Sequence, residues 1–161
     1  MTFADITPAR KGRVFADFTL GQTFVHHWGR TLGESDGTAF GCLTLNYNPI
    51  YLNAEFAAER GHHVRPLNPY LAFLTVLGLS VEDLSEGSVE GAFLGIDDLA
   101  YYETVTAGDT LVARSEVVGM RPSESRPGSG VVTWRTRGFN QHGNKVLAFT
   151  RTNIVGSTTT S

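Results

Sequence analysis

Residues 69–81, PYLAFLTVLGLSV, constrain the fold more than any other stretch of the chain. No charge interrupts them until Glu82-Asp83. Pro69 suits the first position of a helix. A helix that is apolar all round has to be covered on every side. The cover must come from the second half of the chain. Residues 89–96, 110–119, 131–139 and 145–155 are runs with strand character. Turn residues separate the later ones: Ala107-Gly108-Asp109, Pro127-Gly128-Ser129-Gly130 and Gln141-His142-Gly143-Asn144. A curved antiparallel sheet wrapped around a long buried central helix satisfies both patterns, which makes the expected class α+β.

The first half adds one strand and two short helices. Residues 23–31 are aromatic and β-branched, as a strand requires. Alternation along that strand sends His26 and His27 to opposite faces. Glu34 and Asp36 then open a helix, where acidic side chains meet the positive end of the macrodipole. Asn46 to Pro49 break it, and Pro49 starts a second helix over 50–60 that closes at Gly61. Residues 1–15 read as an irregular arm and 156–161 as a flexible tail, so all 161 residues fit a single domain.

Composition narrows the functional classes. A net charge of −3, with Lys and Arg scattered, argues against nucleic acid. No run approaches the ~20 apolar residues of a membrane helix. The N-terminus has no apolar run after its charges, so a cytoplasmic location is expected. Cys42 is the single cysteine, which leaves no internal disulfide. Its neighbours Phe40 and Leu43 suggest a packed small hydrophobe. No metal site is expected.

Several short motifs in fixed order resemble the MaoC-like family, R-specific enoyl-CoA hydratases and dehydratases with the hotdog fold. They are Leu20-Gly21-Gln22, the run Leu43-Thr44-x-Asn46-x-Asn48-Pro49-Ile50, Arg65-Pro66, Gly108-Asp109-Thr110-Leu111 and Asn140-Gln141-x-Gly143. The stretch Arg30-Thr31-Leu32-Gly33-Glu34-x-Asp36 points to one branch of that family. The resemblance spans roughly residues 16 to 155. It implies hydration of an enoyl thioester or the reverse dehydration. Coenzyme A or phosphopantetheine would enter as part of the substrate, with no separate cofactor. It also implies pairing of hotdog domains, as a homodimer, a higher homo-oligomer or a heterodimer with a catalytic hotdog partner.

The family's acid–base pair lies in a D-x-N-P-x-H pattern, and this chain departs from it. Asn46 stands in the Asp place and Tyr51 in the His place. An ordinary phenol titrates near 10 and donates a proton far better than it accepts one at neutral pH. The candidate catalytic residues are therefore Tyr51, Asn46, Asp36 and His63, with Glu34 and His62 as neighbouring sources of a carboxylate and an imidazole. Each has a plainer reading: Glu34 and Asp36 as helix caps, His62 and His63 as loop residues, Asn46 and Asn48 as turn formers. Tyr47, Asn48, Asn68 and Tyr70 are candidate substrate contacts. Arg121, Ser125 and Arg126 could hold the phosphates of a coenzyme A tail, or simply form a solvated loop. Three functions stay open: a lyase with altered acid–base residues, a non-catalytic subunit completing a partner's tunnel, and a thioesterase or isomerase on the same scaffold.

Overall fold

A computed structural model describes residues 12–88 and 91–158. The N-terminal eleven residues of the expected arm, and residues 159–161 of the expected tail, lie outside them. The elements are β1 (Thr23–Thr31), α1 (Glu34–Thr44), a 3-10 turn (Pro49–Tyr51), α2 (Ala54–Glu59), α3 (Pro69–Leu84), β2 (Ala92–Tyr101), β3 (Thr110–Pro122), β4 (Gly130–Phe139) and β5 (Lys145–Val155). The five strands form one antiparallel sheet in the order β1-β3-β4-β5-β2. Helix α3 packs across β1, β3 and β4. This is the hotdog arrangement of an α+β domain.

Alternating burial along β3, β4 and β5 gives the sheet one face against the helix. Leu111, Ala113, Val146, Leu147 and Phe149 meet Ala72 and Val76 there. Phe18, Val117, Val132, Trp134 and Val155 close the other end with Leu84. A Cβ at Gly138 would stand 2.6 Å from Val76 Cγ2, so glycine lets α3 lie directly on β4.

The structure corrects three expectations and adds contacts to the arm. Helix α3 is not covered all round: Tyr70 is 56% exposed and Leu74 48% exposed. They lie one turn apart, so one stripe of the helix faces outward. The expected helix over 50–60 is two pieces, because Asn53 caps a fresh start by accepting from Phe56 N. The end of the expected arm is docked, since Arg13 Nε donates to the Asp83 carbonyl and Phe15 N to the Gly156 carbonyl. Cys42 is exposed, because α1 turns that position away from the core.

The histidine pair also departs from simple alternation. Val25 pairs with Arg114 and Gly29 with Val112, so three residues of β1 oppose the single Ala113. This bulge brings both rings to Asp83. His26 Nδ1 lies 2.6 Å from Asp83 Oδ2, and His27 Nδ1 lies 3.2 Å from Asp83 Oδ1. The second contact is close enough for an ion pair but is misaligned for a hydrogen bond. On the other side of the ring, His26 Nε2 is 2.8 Å from Ser115 Oγ, which is 2.8 Å from Thr136 Oγ1. All four of His26, Asp83, Ser115 and Thr136 are buried. With Nδ1 donating to Asp83, a neutral ring accepts from Ser115, and Ser115 in turn accepts from Thr136.

Burial lowers the His26 pKa below the ordinary 6.5, despite the opposing pull of Asp83. The unfolded chain binds this proton as pH falls through 6.5, while the folded chain still refuses it. Stability is therefore full above that value and declines below it, by at most ~1.4 kcal/mol per pH unit from this group. Urea unfolding at pH 7.5 and 5.5 should show the loss, and His26→Gln should reduce it. Equal slopes in the variant and the parent would assign the loss to other groups.

Candidate active site

The 3-10 turn holding Tyr51 is built by local chemistry. Leu45 ends α1 in the left-handed region, and Asn46 N returns to the Gly41 carbonyl. Asn48 Oδ1 accepts from Ile50 N, and Pro49 supplies the first residue of the turn. Arg65 fixes the turn from the outside: its Nη1 donates to the Tyr51 carbonyl and its Nη2 lies 3.8 Å from Glu34 Oε2.

Inside this turn is a cavity of about 320 Å³. Ile50, Tyr51 and His62 form one wall, and Pro66, Leu67, Pro69 and Ala72 bring the start of α3 to another. Residues 101–105, which leave β2, close it with Val146 and Leu147. Bridge pairing of Pro66 with Thr106 and the bond from Leu67 N to the Val105 carbonyl hold the two connectors together.

The lining combines aliphatic surface with a few polar groups, as small-molecule pockets do. Burial raises the Tyr101 pKa, with further contributions from Tyr70 and Tyr51. Three phenols thus stand close enough to feel one another, and Tyr101 stays a proton donor at neutral pH. Asn68 caps α3: its Oδ1 accepts from Tyr70 N at 2.9 Å. Its buried Nδ2 has no hydrogen-bond partner among the described residues, so one amide donor is left over beside Leu67 and Pro69.

Of the residues named from sequence, the cavity lining includes Tyr51 and, of the two loop histidines, His62; His63 is exposed. Asp36 is held elsewhere. It accepts from Gly33 N at 2.8 Å and from Arg30 Nη2 at 2.7 Å. The Gly33 bond, then Arg30, keeps its pKa below the usual carboxylate value. Asn46, Tyr47 and Asn48 sit in the supporting turn rather than in the lining. Arg121 lies near the far end of β3, and Ser125 and Arg126 belong to the β3–β4 connection that follows it. Strand β3 separates that connection from the cavity end by about 40 Å, so the expected phosphate patch does not adjoin Tyr51. The reading from sequence missed Tyr101, Tyr102 and Glu103. The signal was an aromatic pair at the end of a strand, whose place only the tertiary fold defines.

A five-stranded antiparallel sheet across one long helix, with a cavity at the helix start, defines a MaoC-like hotdog domain. The chain belongs to the mesaconyl-CoA hydratase family, whose model matches residues 3–160. It is 39% identical over 146 residues to a mesaconyl-CoA hydratase of Haloarcula hispanica, an alignment covering 90% of this chain and 40% of the relative. A crystal structure of a MaoC domain protein dehydratase from Chloroflexus aurantiacus superposes with a TM-score of 0.84 at 33% identity, covering 90% of this chain and 40% of that one. A Mycobacterium tuberculosis protein described as a double hotdog fold gives a TM-score of 0.80 at 25% identity, with 91% and 45% covered. The chain thus spans about 40% of the length of the curated relative it matches.

Proposed function

We propose that the chain is a hotdog lyase that adds water to an enoyl thioester, or removes it from a 3-hydroxyacyl thioester, with a phenol as its acid. One observation carries this reading: Tyr51 and His62 line the same cavity at the start of α3. His62 takes a proton from water while the water oxygen bonds to the β-carbon. Tyr51 gives a proton to the α-carbon, and the double bond is consumed. The reverse sequence expels water. Charge on the thioester oxygen is met by the positive end of α3, whose first residue, Pro69, lines the cavity.

The acyl group would arrive on coenzyme A or a carrier protein, in the cytoplasm. Absorbance of the conjugated thioester reports the reaction directly, and release of free thiol would instead indicate hydrolysis. His62→Gln is expected to lower kcat by ~10²-fold with melting temperature unchanged. An unaffected rate removes His62 from the chemistry.

The open edge of β2 and the outward stripe of α3 favour a second hotdog domain against this one. Phe93 and Leu94 are exposed on β2, and Tyr70 and Leu74 are exposed on α3. A homodimer supplies that domain most simply. The relative's greater length also favours a second reading, in which this chain is the non-catalytic half of a pair. Light scattering with turnover on the same sample separates them. A homodimer active alone supports the first reading; inactivity relieved by a partner carrying D-x-N-P-x-H supports the second.

A further inference from the structure

Resting on the reading above that an acyl thioester occupies the cavity, the thioester oxygen needs a hydrogen-bond donor as enolate charge builds on it. The start of α3 has its first N–H groups already engaged. Pro69 carries none. Tyr70 N donates to Asn68 Oδ1 at 2.9 Å, and Leu71 N and Ala72 N reach the Asn68 carbonyl at 3.0 and 3.4 Å. The helix end offers its field, and a direct donor has to come from elsewhere. Among the polar side chains of the lining, Tyr51 and His62 carry the proton transfers proposed above. Lys145 covers one face of Tyr102, its Nζ 3.6 Å from the ring centroid. Thr104 follows the last ladder pair of β2, so no register aims it. Tyr101 lines the same cavity, and its hydroxyl has no hydrogen bond among the described residues.

Strand β2 is bent in a way that puts Tyr101 there. Ile96 pairs with Arg151 and Asp97 with Thr150, but Ala100 pairs with Ala148 and Tyr101 with Leu147. One extra residue has therefore entered β2 between Asp97 and Ala100. Ile96 lies opposite the buried Arg151, on the inner face of the sheet. Strict alternation from Ile96 would send residue 101 to the outer face. The bulge returns it to the face of Leu147, a core residue packed with Ala72 and Val76 of α3. Asp98, inside the bulge, takes a φ of 54°, a left-handed conformation that strains a residue with a side chain. Bulges and strain of this kind recur where they aim a functional group.

We infer that Tyr101 is a further catalytic residue, whose phenolic O–H donates to the thioester oxygen and stabilises the charge that develops there as water adds to the β-carbon. Burial holds its proton more firmly than in an ordinary phenol, so the donor is present at neutral pH. Tyr51 gives a proton to the α-carbon while Tyr101 holds the oxygen.

The test binds butyryl-CoA, isotopically labelled at the thioester carbonyl, to the parent chain and to Tyr101→Phe. This saturated ligand cannot turn over. A donor on the oxygen weakens the C=O bond, so infrared difference spectra should show the carbonyl band at lower frequency in the parent. The variant should lose most of that displacement. With an enoyl thioester, Tyr101→Phe should lower kcat by ~10²–10³-fold, the usual loss for one oxyanion donor, and change KM only a few-fold. Tyr101 is 41% exposed, so the substitution should leave the melting temperature unchanged. An equal carbonyl band in variant and parent, or a kcat within about threefold, overturns the inference and leaves the lyase reading standing. A Tyr101-dependent band in a chain that hydrates no enoyl thioester removes the lyase reading and keeps Tyr101 as the donor. Butyryl-CoA that fails to bind the parent chain removes both.

Discussion

Tyr51→Phe is expected to cut kcat on an enoyl thioester by ~10²–10⁴, the usual range for general acid catalysis. The substitution removes one oxygen and leaves the ring that packs in the turn. Every bond that builds the turn comes from elsewhere: Asn48 Oδ1 to Ile50 N, and Arg65 to the Tyr51 carbonyl. The folded chain should therefore melt as before and bind a saturated thioester within a few-fold. That combination, rate lost and binding kept, is what a proton donor predicts and a packing residue does not. A rate within about threefold of the parent would place the phenol outside the chemistry. Tyr101, the last residue of β2, lines the same cavity, so Tyr101→Phe tests separately whether a second phenol contributes.

The second large effect is on stability. Asp83→Ala should cost on the order of 3 kcal/mol, because it strands a buried donor at His26 Nδ1 and opens a void under β1. Asp83 is 3% exposed, and His26 depends on it at 2.6 Å. The loss should propagate, since Ser115 and Thr136 are satisfied through the same ring. Asp83→Asn keeps an acceptor oxygen and should lose less than half as much. Denaturant midpoints for the two variants decide the matter. Equal losses would show that charge, rather than the acceptor, is what the site needs, and a loss under about 1 kcal/mol for Ala would remove the network from the account.

These two residues also show what a sequence displays and what it hides. Strands β1 and β5 stand where their β-branched and aromatic runs begin and end, because turn residues bracket both. Helix α3 announces itself by its apolar length, and Pro69 marks its start. Strand β2 is harder. Its charged Asp97-Asp98 mimic a turn, yet the strand continues to Tyr101 through a bulge where Asp98 takes a φ of 54°. Helix amphipathicity could not reveal that Tyr70 and Leu74 face outward, since both are apolar and the stripe lacks charge.

The site divides in the same way. Asn48-Pro49 and Tyr51 are local, and their turn is readable from the turn chemistry of three residues. The choice between His62 and His63 depends on the twist of a connector, and only coordinates decide it. The buried network was hidden for a related reason: period-2 alternation holds only where the ladder is regular, and the bulge opposite Ala113 breaks it. Glu103 and Tyr101 reach the cavity because residues 66–67 bridge to residues 105–106, a contact between segments almost forty residues apart.

The most direct measurement is a crystal structure of the chain with butyryl-CoA bound. The account predicts the acyl chain among Leu67, Ala72 and Leu147, with the phenolic oxygen of Tyr51 about 3 Å from the α-carbon or the thioester oxygen. An acyl group seated anywhere else, or a Tyr51 ring turned to solvent above an empty cavity, would contradict it.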